Sequence, residues 1–152
     1  MSDSQIRNGT YFRFELPDGT FGYSRCVDFP YFEVYATRTV YPVDSLGELV
    51  VGDVQFTIAV RVAELDEWHA LGWRDIDANG KVPAVFFHQD RFDPSDCTIY
   101  DTASNERSAN PAECVGLERG VVWRPVHIAE RLHDELRGAV HPAVVYYQVE
   151  LP

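Results

Sequence analysis

The sequence predicts a mostly β fold of the α+β class. It is a twisted antiparallel sheet or partly closed barrel, with one C-terminal helix packed on it and a final strand. Three observations carry this reading. Apolar and polar residues alternate on both sides of Pro17-Asp18-Gly19, the pattern of half-buried strands flanking a turn. The alternation returns over residues 54–62. Apolar residues spaced by four, the mark of an amphipathic helix, are clear in one late stretch at Ile128, Leu132 and Leu136.

Each element has its own signal. Residues 11–16 place Phe12, Phe14 and Leu16 on one face and Tyr11, Arg13 and Glu15 on the other. Proline fixes φ and Gly19 is free to take φ > 0, which is hairpin chemistry, so residues 21–27 form the return strand. Residues 31–37 are dense in aromatic and β-branched side chains and form a third strand. After the Gly52-Asp53 break, Val54, Phe56, Ile58, Val60 and Val62 alternate with polar or small residues as a fourth. Residues 63–71 suit one or two helical turns before Gly72. Residues 73–76 and 82–88 read as strands flanking "DANGK", residues 97–101 as a short strand, and residues 102–114 as a polar loop. The helix ends at Gly138, before His141-Pro142. Residues 143–151, "AVVYYQVEL", read as the final strand.

The 152 residues read as one domain, 1–152, long enough to bury a core without a disulfide or metal. The net charge of −11 is spread along the chain. It opposes binding to the outside of nucleic acid or to an anionic membrane, since both need cations to replace counterions, and it suits a basic partner. Three widely spaced cysteines predict a reduced, cytoplasmic chain. The first ten residues lack the apolar run of a signal peptide, and no apolar stretch is long enough to span a bilayer.

Motifs for chemistry are weak. "DIDANGK" at 75–81 has the spacing of the first half of a calcium loop, but Phe86 stands where the bidentate Glu belongs. "HQDRFDPSDC" at 88–97 gathers His88, Asp90, Asp93, Asp96 and Cys97 in what reads as an exposed acidic turn. Nothing around Cys114 resembles a nucleophile motif, Glu64 and Glu67 read as surface residues, and His127 and His133 do not share a helix face. No phosphate-binding glycine motif occurs. The sequence therefore predicts no metal, no cofactor and no catalytic residue. Glu118, Trp123, His127 and Arg131 are expected to be structural polar anchors, with Glu118 pairing Arg131 and Trp123 packing beneath the helix.

Two stretches taken together carry a resemblance. One comprises Gly9, Leu16-Pro17-Asp18-Gly19 and Tyr23 to Arg25. The other comprises Gly116-Leu117-Glu118, Trp123, His127 and Arg131-Leu132. In their order and separation they resemble the immunity protein 26 family of bacterial polymorphic toxin systems, over roughly residues 8–135. Ser24 stands where the family pattern has glycine. The resemblance implies a mostly β fold, no catalysis, and an antidote made beside a toxin and binding it in the cytoplasm. It implies that the motif residues, Gly19, Glu118, Trp123, His127 and Arg131, are structural.

The leading expectation is therefore a toxin-binding immunity protein, with a nuclease as one suitable target because its groove is basic. The expected contacts are the acidic loops at Asp75, Asp77, Asp90, Asp93 and Asp96, with Tyr31 and Tyr35 as aromatic anchors. The alternative is a small-molecule-binding or enzymatic β-domain with an aromatic-lined pocket. An adaptor in a secretion assembly is a third reading.

Overall fold

The computed structural model describes residues 6–76 and 83–152. The chain forms two units. Met1–Lys81 and Val122–His141 make the first; Val82–Val121 and Pro142–Pro152 make the second.

The first unit is built on a six-stranded sheet. β1 (Thr10–Glu15) and β2 (Phe21–Asp28) form the expected hairpin. Its turn depends on Gly19, whose φ of 82° is one that residues with a Cβ rarely adopt. Asp18 Oδ1 secures the turn by accepting from the Thr20 amide at 3.1 Å and the Thr20 hydroxyl at 2.5 Å. β3 (Tyr31–Thr39) and β4 (Val54–Val60) extend the antiparallel ladder, and β5 (His69–Trp73) pairs with the free side of β1. The chain's last strand, β10 (Val122–Trp123), runs parallel to β4 and leads directly into helix α1 (Pro125–Leu136).

Strand register sorts the side chains. Phe12, Ser24, Val34 and Phe56 are successive cross-strand partners, as are Cys26, Phe32 and Ile58, so all share one face. Helix α1 lies on that face, with Ile128 and Leu132 fully buried. Seating the helix requires a residue without a side chain on β2. A Cβ on Gly22 would lie 2.8 Å from Leu132 Cδ2 and 2.8 Å from the Phe14 ring.

The opposite face departs from expectation. Alternation predicts that Tyr11, Arg13 and Glu15 face away from the core. Tyr11, Tyr23, Tyr35 and Leu49 instead form a second buried cluster, packed by Val43, Leu46 and Val51. Polar side chains hold the covering segment down. Arg13 Nη1 donates to Val43 O at 2.9 Å, the Val43 amide donates to Tyr23 Oη at 3.1 Å, and Arg74 Nη2 donates to Leu46 O at 2.8 Å.

The second unit is a four-stranded sheet of β6 (Val85–Gln89), β7 (Cys97–Asp101), β8 (Glu106–Ala109) and β9 (Glu118–Arg119), in the order β8-β7-β6-β9. Phe87, Cys97 and Cys114 form its core with Ile99, Leu117 and Val149. Gln89 is 6 % exposed and uses its whole amide. Nε2 donates to Pro94 O and Glu150 O, at 2.8 and 2.9 Å. Oε1 accepts from the Glu150 amide at 3.0 Å and from Arg119 Nη2 at 3.3 Å. Arg119 also donates to the carbonyls of Tyr147 and Gln148.

These bonds explain one correction. Residues 143–151 are not a strand. They begin as the short helix α2 (Pro142–Tyr146), and the backbone after it bonds to the Gln89 and Arg119 side chains instead of to a neighbouring strand. Three further expectations shift. Residues 102–114 contain β8 and a 3₁₀ turn, Pro111–Cys114, because Asp101 Oδ1 accepts from the amides of Ala103 and Asn105 and closes a hairpin. Residues 63–71 hold the 3₁₀ turn Val62–Glu67 and the start of β5, which ends at Trp73 and does not run on to Ile76. The mostly β, α+β class holds, but the strands fall in two sheets, each with one parallel pair, in place of one antiparallel sheet or partly closed barrel.

Two substitutions test the helix seat. Gly22→Ala is expected to cost about 1–3 kcal/mol by overpacking, and Leu132→Ala about 2–5 kcal/mol by opening a cavity. Combined, they are expected to cost less than their sum, because the deleted methyls are those the new Cβ meets. Ser24 is fully buried and its hydroxyl has no hydrogen-bond partner among the described residues. Ser24→Ala is therefore expected to raise stability, by about 1 kcal/mol. Urea unfolding of the four variants checks all of these.

Candidate functional site

The family-type residues cluster around the start of α1. Arg131 is 5 % exposed, and a buried cation needs partners. Its Nε donates to Glu135 Oε2 at 2.5 Å, and Gln55 Nε2 donates to Glu135 Oε1 at 3.1 Å. The guanidinium carbon lies 3.9 Å from the Phe56 ring centre and 5.0 Å from that of Trp123. Trp123 is buried, and its ring meets His141, which lies beside His127 and 3.2 Å from Glu130 Oε2. Trp123, His127 and Arg131 thus lie in one aromatic and ionic cluster of the first unit. Glu118 belongs to β9 of the second.

The residues expected to meet a partner are divided. Asp75 is exposed just past β5 in the first unit, and Asp77 lies outside the described residues, as does most of the calcium-like loop. Tyr31 is half-buried. Tyr35 is 4 % exposed, its ring stacked on Tyr11 and its hydroxyl 3.3 Å from Glu33 Oε1, which also binds Arg25 at 2.6 Å. Burial pushes the Tyr35 phenol far above its usual range. The expectation that Tyr35 is an anchor at the surface is corrected: its bulk fills the second core cluster.

Asp90, Asp93 and Asp96 come together in the turn between β6 and β7. Asp90 Oδ1 accepts from the amides of Phe92 and Asp93, both at 2.8 Å, and Asp93 Oδ1 accepts from the Ser95 hydroxyl at 2.6 Å and amide at 3.2 Å. The Asp96 amide donates to Asp93 O and the Asp90 amide to Asp96 O. Gln89 adds its bond to Pro94 O. The two amides on Asp90, from Asp93 and then Phe92, hold its carboxyl below the usual aspartate range, so it stays charged. This ordered turn presents Phe92, which is 91 % exposed. A cavity of about 550 Å³ beside it is lined by Asp90, Arg91, Arg119, Tyr146, Tyr147 and Glu150, and Tyr146 is itself 82 % exposed. Sequence reasoning found the aspartates and missed the phenylalanine. The available signal was an aromatic residue inside a run of turn-forming residues.

Chemistry has less to work with. No group of three or more His, Cys, Asp or Glu side chains among the described residues is placed to hold a metal ion. Cys114 is fully buried, and burial followed by the neighbouring Cys97 pushes its thiol up, opposite to what activates a nucleophile. No helix among the described residues is long and apolar enough to cross a membrane.

No curated protein and no solved structure matches the chain. The model of one family, Immunity protein 26, matches residues 7–98. That stretch holds Gly9, the Leu16–Gly19 turn and Tyr23 to Arg25, and it runs from β1 through the 90–96 turn. It stops short of Glu118, Trp123, His127 and Arg131. Because the match spans more than half of the chain, the protein belongs to the immunity protein 26 family, and with that membership comes an immunity function in general.

Proposed function

We propose that this protein is the antidote of a polymorphic toxin system. It binds its cognate toxin, encoded nearby, in the cytoplasm and neutralises it by covering the active site or substrate groove. A nuclease is the toxin class that best matches the charge, because a groove that holds nucleic acid is basic and the antidote carries −11. In this reading the chain works as one domain without catalysis, cofactor or metal.

The observation that carries the reading is the 90–96 turn. A phenylalanine that is 91 % exposed gains nothing from the fold, yet the turn holding it is fixed by side-chain and backbone hydrogen bonds. Energy at interfaces concentrates in a few aromatic anchors, and an anchor that is already ordered loses little entropy on binding. Asp93 and Asp96, both exposed, flank Phe92 with the charge that would steer a basic groove towards it. Asp75, Asp77 and Tyr31 are further contacts in the same proposal.

The test begins with the tagged full chain captured from its own host and identification of what it binds. The expected prey is one protein that stops growth when expressed alone and is harmless when co-expressed with this chain. Phe92→Ala is then expected to weaken the pair by about thirtyfold or more, as for an interface hot spot. Asp93→Lys with Asp96→Lys is expected to slow association by about tenfold at low salt and by less at high salt. A prey that is not toxic, or an affinity indifferent to all three substitutions, overturns the reading of this turn.

A further inference from the structure

The cavity of about 550 Å³ beside the Phe92 turn is an exception to the chain's acidity. Arg91 and Arg119, two of the second unit's three arginines, line it. The third, Arg107, is ion-paired with Glu113 at 2.7 Å. Arg91 and Arg119 have no ion-pair partner among the described residues. Arg119 is half-buried and already held in place. Its guanidinium carbon lies 4.8 Å from the centre of the Phe87 ring, and Nε donates to Tyr147 O at 3.0 Å. Nη2 donates to Gln148 O at 3.2 Å and to Gln89 Oε1 at 3.3 Å. Each of these acceptors is neutral, and Nη1 donates to none of the described residues. A partly buried cation fixed by neutral oxygens, with N–H groups left over at a cavity, lacks its counter-charge. Arg91 is exposed, with its guanidinium carbon 6.0 Å from the centre of the Phe92 ring. Tyr146, 82 % exposed, adds an aromatic wall.

We infer that this cavity receives a side-chain carboxylate of the partner toxin, and that this contact fixes how the toxin sits on the Phe92 anchor; the inference rests on the antidote reading above. A guanidinium fork matches a carboxylate with directed, charge-assisted hydrogen bonds, and a guanidinium that is already ordered loses little freedom in making them. Charge selects the occupant. Asp90 and Glu150 also line the cavity, so a singly charged carboxylate suits it better than a doubly charged phosphate. A second copy of this chain would bring another −11 to a negative surface, whereas a basic toxin approaches it and can present a single acid. The exposed acids of the turn then give attraction, and the two arginines give register, because a toxin without a carboxylate at this point leaves both cations unpaired.

The experiment titrates the isotope-labelled full chain with a blocked tripeptide carrying glutamate at its centre, and follows backbone amide and arginine Nε signals. The matching glutamine tripeptide and inorganic phosphate are the controls. The expected result is saturable shifts at Arg119 Nε and at the amides of residues 90–92 and 146–150, stronger than with either control. Glu150→Gln removes a like charge from the lining and is expected to tighten the glutamate peptide by about threefold, a gain that a damaged fold does not mimic. Arg91→Glu, at an exposed position, is expected to weaken it by about tenfold. Equal binding of the glutamine peptide or of phosphate, shifts centred on other arginines, or an affinity unchanged in both variants overturns the inference. The toxin separates this contact from general steering. Arg91→Glu makes the chain more acidic, so steering alone predicts faster association and a tighter pair, whereas loss of the docked carboxylate predicts dissociation faster by about tenfold. If protection is lost with Phe92→Ala while Arg91→Glu holds the toxin as tightly as the parent, the cavity contact is refuted and the antidote stands. If the glutamate peptide occupies the cavity of a chain that protects against no toxin, the carboxylate site stands and the antidote reading falls.

Discussion

The contact between Leu132 and Gly22 is the constraint on which the first unit depends. A helix lies this close to a sheet only where the sheet offers a gap, and Gly22 is that gap. Once Leu132 is seated, Ile128 one turn earlier is buried, and Arg131 has to enter the core beside it. A guanidinium there is tolerable when it is partnered, and Glu135, one turn on, is within reach while two aromatic faces lie against it. Glu135 in turn accepts from Gln55 on β4, so the ion pair also ties the helix to the sheet. The glycine therefore determines why a buried cation, its carboxylate and an amide occur together.

The second unit solves a different problem. Its sheet is small and its C-terminal segment adds no strand to it. Gln89 is the answer: two donors and two acceptor bonds on one amide join β6 to the turn that follows it and to the backbone at Glu150. A side-chain amide rarely meets its full capacity, and here every bond is made inside the chain. The consequence reaches the surface. Pro94 is held by Gln89, so the Phe92 turn is rigid because of a residue that is itself buried.

How far the sequence disclosed this depends on the range of each signal. The hairpin at Pro17-Asp18-Gly19, the strands β2 to β4 and β7, and the helix from the Ile128-Leu132-Leu136 spacing were legible because period and turn chemistry are local. The final strand was misread because "AVVYYQVEL" has high β-propensity, while its conformation is set by Arg119 and Gln89, dozens of residues away. β8 was missed because "ERSA" has no apolar period; it exists through pairing with β7 across the Asp101 turn. Tyr11 and Tyr35 share a buried cluster because a loop covers the second sheet face, which alternation within a strand cannot report. At the candidate site the aspartates were legible by their charge. Phe92 was not, because its exposure belongs to the folded turn.

Net charge alone would not make a binding surface, because much of this chain's acidity is consumed internally. Asp18, Asp90, Asp101 and Glu113 each accept hydrogen bonds that close a turn or cap a 3₁₀ segment, and Glu64 binds Arg124. All five carboxyls are held below their ordinary ranges: Asp18 by Thr20, Asp90 by the Asp93 and Phe92 amides, Asp101 by the side chain and amide of Asn105, Glu113 by Arg107 and then the Asn110 amide, and Glu64 by Arg124. A carboxyl whose folded pKa is depressed contributes stability that is present above its unfolded pKa and fades as pH falls through the folded one. The same bonds that set the turns therefore keep the surface negative under mild acid, and the field that would steer the basic partner proposed above outlasts that of unengaged carboxylates. Charges locked into turns provide that field and hold the backbone still. In the proposed antidote, the flanking acids and the exposed aromatic are left to make the contact.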